Sequence, residues 1–83
     1  MRNTYRLEIT ASCPTDDKPD FYAVKIESAR TILVEDIAHR VAEATSGGPV
    51  YQEDIAARLA RSLNAKVTLV GTHSGIDVES VAP

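Results

Sequence analysis

The chain has 83 residues, with 9 Lys and Arg against 12 Asp and Glu and a formal net charge of −3. That is a single domain over 1–83 without the basic surplus that coating nucleic acid demands. Charged residues at 25% and hydrophobic residues at 43% fit a folded chain rather than a disordered one. One cysteine excludes an internal disulfide and a cysteine-only zinc cluster.

No apolar run approaches the roughly 20 residues of a membrane span. The opening Met1-Arg2-Asn3-Thr4-Tyr5-Arg6 has no apolar signal region, so cytoplasm is the expected compartment. A chain this short buries only about 60–65% of its unfolded surface, so self-association is expected.

The first element is a strand. From Tyr5 to Thr10 the chain alternates, Tyr5, Leu7 and Ile9 against Arg6, Glu8 and Thr10. Pro14-Thr15-Asp16-Asp17-Lys18-Pro19 is turn chemistry. Phe21 to Ser28 alternates again, with Tyr22, Val24 and Ile26 on one side, which completes a hairpin. The period then changes. Val34, Ile37, Ala38, Val41 and Ala42 predict an amphipathic helix, stopped by Ser46-Gly47-Gly48-Pro49. A second helix is predicted from about Tyr51 to Leu63, with Ile55, Ala56, Leu59, Ala60 and Leu63 as its stripe and Asn64 as its cap. Lys66 to Val70 reads as a strand, Thr72-His73-Ser74-Gly75 as a turn, and Ile76 to Val81 as a last strand. The order ββααββ predicts an α+β fold: a four-stranded antiparallel sheet with two antiparallel helices on one face.

Cys13 is the first chemical landmark. A lone cysteine usually serves as a small buried hydrophobe, but a thiol at a loop mouth can also act as a nucleophile. Asp20 lies where the second strand begins, so the hairpin brings it toward Cys13. It reads either as a turn residue or as a carboxyl group that shuttles a proton. Glu53 opens the second helix beside Gln52 and Asp54. Asp54 has Arg58 four residues on, whereas Glu53 is followed at that spacing by Ala56 and Ala57. Glu53 therefore reads either as a dipole charge or as an acceptor for adjacent ring N–H and exocyclic amine donors. His39, His73 and Cys13 match no tight metal spacing, and no metal site is expected. Arg58 and Arg61 read as a solvated face, and Gly47-Gly48 follows a helix rather than opening one, so no phosphate loop is present.

Taken together, Cys13-Pro14, Pro19-Asp20-Phe21, Tyr51-Gln52-Glu53-Asp54 and Ser74-Gly75-Ile76 resemble the 7-cyano-7-deazaguanine reductase (QueF) family, from about Leu7 to Val81. The resemblance implies a tunnelling fold, a ββααββ unit that builds a barrel with copies of itself, with sites between subunits. It implies Cys13 as the nucleophile that forms a thioimide with the substrate nitrile, Asp20 as the proton-handling group, and Glu53 as the residue recognising the deazapurine edge. Gln52 falls in the same substrate-binding run, where the family carries histidine. The family binds NADPH through a lysine-containing helix segment. Here that stretch is Glu35-Asp36-Ile37-Ala38-His39-Arg40, which keeps Glu35 but offers only Arg40 in place of lysine. Weak or absent NADPH binding is therefore expected. His73 stands where the family has an arginine before Gly-Gly.

Three functions are consistent with these residues. The first is nitrile chemistry on a deazapurine through Cys13, finished by hydride or by an amine. Some relatives without the NADPH segment use the amine route on tRNA, and a net charge of −3 argues against tRNA here. The second is pterin chemistry, whose three-histidine zinc version is excluded by a chain with two histidines. The third is a non-catalytic binding or assembly module.

Overall fold

The computed structural model describes residues 1–83. It contains β1 (Asn3–Ser12), β2 (Pro19–Ser28), α1 (Val34–Thr45), α2 (Gln52–Leu63), β3 (Lys66–His73) and β4 (Ile76–Ala82). The sheet order is β1-β2-β3-β4, antiparallel throughout, with both helices packed on it. The predicted α+β architecture is the one observed. Neither helix is long and apolar enough to cross a membrane.

The register explains why one face is apolar. Tyr5, Ile26, Val67 and Ala82 form one row across the sheet, and Ile9, Tyr22, Gly71 and Val78 form another. Strand side chains alternate between faces, so these rows all point toward the helices. The stripe of α2 fills that layer: Ile55, Ala56, Leu59, Ala60 and Leu63 are all buried. Asn64 ends the helix in the left-handed conformation with φ 50°, as predicted, and the Arg30 guanidinium donates to the Leu63 carbonyl.

The structure corrects the first helix. Its buried residues are Ile37 and Ala44, with Val41 half-buried, whereas Val34, Ala38 and Ala42 are exposed. α1 touches only α2 and the outer strand β1, so a narrower stripe suffices. Arg58 also departs from expectation. It forms no ion pair with Asp54 and instead donates to the Ala44 carbonyl at 3.2 Å, tying α2 to the end of α1.

The opposite face of the sheet is uncovered. It carries Arg6, Glu8, Lys25 and Glu79 around Ala23 and Val70, and Phe21 at its rim is 71% exposed. β1 and β4 are both edge strands, and each presents unpaired backbone donors and acceptors. The chain is therefore expected to self-associate. Sedimentation velocity should show a species heavier than the monomer, and a monomeric profile at high concentration would refute this.

Candidate functional site

The site lies at one end of the sheet, on the helix-covered face. β1 ends at Ser12, whose carbonyl accepts the Val50 N–H at 3.2 Å. That bond holds the start of α2 beside the β1–β2 loop. In the loop, the Cys13 N–H donates to the Lys18 carbonyl at 2.8 Å and the Asp17 N–H to the Cys13 carbonyl at 2.9 Å. Asp17 accommodates the reversal with φ 61°. Asp16 accepts the Lys18 N–H at 3.0 Å, and this bond holds its carboxyl below the usual carboxylate range. Cys13 is buried, with its Sγ 3.0 Å from the Thr15 hydroxyl.

Asp20 pairs with Ala11, two residues before Cys13, rather than with Cys13 itself. The Tyr22 hydroxyl donates to Asp20 Oδ2 at 3.2 Å. Burial, then the Asp20 carboxylate, pushes the Tyr22 phenol well above its ordinary value, so it remains a proton-bearing donor. The Tyr22 ring lies over Gly71. A Cβ at Gly71 would sit 2.5 Å from Tyr22 Cδ1 and 3.3 Å from Gln52 Oε1. Gly71 leaves the room this ring occupies.

Gln52 is buried at the first stripe position of α2 and uses its whole amide. Its Nε2 donates to the Leu69 carbonyl on β3 at 3.0 Å and to the Val78 carbonyl on β4 at 2.8 Å. Its Oε1 lies 2.9 Å from His73 Nε2. Carbonyls only accept, so the amide orientation is fixed and Oε1 must be the acceptor; His73 Nε2 therefore carries a hydrogen. The other ring nitrogen, Nδ1, faces Asp20 Oδ2 at 3.7 Å, and the ring is tilted 45° to Tyr22 at 5.9 Å.

His73 belongs to β3, whereas the sequence places it in a turn. The reversal needs only Ser74 and Gly75, with φ 53° and 78°, so the strand runs three residues further and turns His73 inward. Cys13, Tyr22, Gln52, Glu53 and His73 line one cavity of about 290 Å³ together with Pro14, Thr15, Tyr51 and Val78. Glu53 is exposed at its rim and makes no ion pair within the chain. A larger concavity of about 910 Å³ runs over the uncovered sheet face; Asp20 and Tyr22 line it, and it holds neither cysteine nor histidine.

Of the residues expected from sequence, Cys13, Gln52 and Glu53 meet at this cavity and Asp20 is bonded to its Tyr22 wall. Glu35 and Arg40 lie apart from it: Glu35 is exposed in the first turn of α1, and Arg40 pairs with Glu43 at 2.9 Å. No group of His, Cys, Asp and Glu has the arrangement of a metal centre. Sequence reasoning undervalued Tyr22 and His73, although both have inward parity in their strands. A polar Gln52 on the apolar register of α2 was a further signal of a committed buried group.

The chain superimposes on the crystal structure of the archaeosine synthase QueF-Like in its apo form with a TM-score of 0.85, covering 98% of this chain and 90% of that one at 20% sequence identity. The two share a fold, the tunnelling-fold unit of that protein. No family model and no curated protein matches the chain.

Two substitutions test this wall. Gln52→Leu removes three hydrogen bonds that join α2 to two strands, at a cost of about 2–4 kcal/mol from roughly 1 kcal/mol each. Gly71→Ala forces the Tyr22 ring aside and should cost about 1–3 kcal/mol. Urea denaturation measures both, and wild-type midpoints would contradict the packing described.

Proposed function

We propose that this chain is a Cys13-dependent enzyme acting on the nitrile of 7-cyano-7-deazaguanine or a related deazapurine. The observation that carries this reading is the convergence of Cys13, Glu53 and Tyr22 on one cavity of about 290 Å³, with Asp20 bonded to the Tyr22 hydroxyl behind that wall. That volume is at the lower bound of small-molecule sites, about 300 Å³, and suits a single bicyclic ring. Glu53, without a partner in the chain, accepts the ring N–H and exocyclic amine of the substrate. The nitrile carbon then sits at the Cys13 sulfur. As the S–C bond forms, one π bond of the nitrile opens and its electron pair moves to nitrogen. The thiol proton passes to Asp20, and the nitrogen takes up a proton from the same carboxyl group. The product is a neutral thioimide, and nothing leaves.

An amine completes the reaction better than a hydride does. Amine nitrogen adds to the thioimide carbon, the C–S bond breaks, and an amidine departs while Cys13 regains its proton. No reductant is consumed. Two observations favour this route. The Glu35–Arg40 stretch has no lysine, and the Arg40 guanidinium is already engaged by Glu43. The fold match to a protein named as a synthase agrees with it. In the proposed assembly, neighbouring copies of the chain close the cavity.

Intact-mass measurement with the nitrile should show a gain equal to the whole substrate. Cys13→Ala should abolish it, because the chain has no other thiol. Asp20→Asn should slow it by about 10²–10⁴-fold, the worth of a positioned acid–base group. Glu53→Gln should weaken substrate binding by roughly 1.5–3 kcal/mol. No adduct at saturating nitrile, with folded oligomeric protein, would overturn the reading.

Calorimetry with NADPH should show weak or no binding, since phosphate groups need Lys or Arg donors. Tight binding would restore hydride transfer.

A further inference from the structure

We propose that His73 is the positioning residue of Asp20, and that a proton on His73 Nδ1 makes it the ion-pair partner of Asp20 Oδ2 for the nitrile step. The proposal rests on the nitrile reading for its chemistry, but its geometry stands alone. His73 Nε2–H is committed to Gln52 Oε1 at 2.9 Å, and Gln52 cannot turn because both of its N–H groups are held by the Leu69 and Val78 carbonyls. The ring therefore gains or loses a proton only at Nδ1. Nδ1 faces Asp20 Oδ2 at 3.7 Å, an ion-pair distance longer than a hydrogen bond. Proton-transfer contacts of this kind tighten when substrate binds.

The surroundings leave few alternatives. From β2, the Asp20 carboxylate and the Tyr22 ring face the imidazole. From α2, Gln52 bonds it and Glu53 lies on the same cavity wall. From β4 the cavity receives Val78, and from the β1–β2 loop Cys13, Pro14 and Thr15. Among the residues lining the cavity, His73 is the one able to carry positive charge. The Tyr22 hydroxyl donates to the same carboxylate oxygen at 3.2 Å.

The proton count is closed. With the pair as carboxylate and imidazolium, Asp20 accepts the Cys13 thiol proton while sulfur adds to the nitrile carbon. A cation beside a carboxyl group favours release of its proton. Asp20 then gives that proton to the nitrile nitrogen, and the pair returns to its starting state. The imidazole is thus supplied by β3, on the far side of Gln52 from α2.

The first test needs no substrate. Nitrogen NMR of the ring should show His73 Nε2 protonated in the folded protein. Asp20→Asn should shift the Nδ1 resonance and leave Nε2 of the protonated type. An unprotonated Nε2, or an Nδ1 signal blind to Asp20→Asn, would overturn the proposal.

The second test compares two reactions of Cys13. Nitrile addition needs a delivered proton, whereas alkylation by iodoacetamide does not. His73→Gln should slow nitrile adduct formation by about 10–100-fold, less than the roughly 10²–10⁴-fold of a direct acid–base group because His73 acts through Asp20, and change alkylation by less than about 2-fold. Equal slowing of both would mark His73 as merely structural, and no slowing of either would remove its role. If the wild type forms no adduct, the nitrile reading fails, and the ring-nitrogen spectra decide whether the ion pair exists.

Discussion

One buried amide organises this end of the molecule. Gln52 opens α2 on the register that every other turn of the helix fills with Ile, Ala or Leu. A polar group there is tolerable only if all its hydrogen-bonding capacity is met, because an orphaned buried donor or acceptor costs about 1–3 kcal/mol. Two sheet carbonyls and one imidazole meet it, and no buried side-chain polar atom in the chain lacks a partner. Since the partners lie on β3 and β4, the amide clamps the helix start to two strands at once. The neighbouring residue, Glu53, is thereby placed at the cavity rim.

The other parts of the site follow from that clamp in a definite order. His73 is oriented because Gln52 dictates which ring nitrogen is protonated. Its remaining nitrogen faces Asp20 on β2. Asp20 is held by Tyr22, whose ring lies flat enough over the sheet that its neighbour on β3 must be Gly71. Three adjacent strands and a helix terminus thus share one polar layer beneath the apolar core of Ile26, Val67, Leu69 and Leu59. A side chain lost from this layer displaces its neighbours, because close-packed interiors do not deform continuously.

Local periodicity made most of the fold legible. The alternation in β1, β2 and β3 and the five-residue stripe of α2 each report a single buried face, and burial follows them closely, with Thr68 on β3 buried out of turn. α1 was less legible because it covers little: at the margin of a layer, Ala38 and Ala42 satisfy helix periodicity without meeting anything. In the site, Cys13, Asp20 and Glu53 stood out by residue type and position. His73 did not, because a turn of four residues reads as well as one of two until the φ angles of Ser74 and Gly75 are known. Nor could the partners of Gln52 be read from spacing, since they lie 17, 21 and 26 residues away and depend on strand order.

The polar inventory of the cavity also constrains what can enter it. Cys13 has Thr15, Asp20 has Tyr22, and Gln52 has His73 and two carbonyls. Glu53 alone presents a carboxylate without an internal partner. On the proposed reading, an incoming molecule is therefore asked for hydrogen-bond donors at Glu53 and an electrophile at Cys13. A ring that offers adjacent N–H donors on one edge and an electrophilic carbon on the other meets both demands. A molecule with acceptors at the Glu53 edge would set lone pairs against a carboxylate, and the site would reject it by leaving both unpaired. Selectivity on this view comes less from the width of the cavity than from which of its polar groups the fold has left unsatisfied.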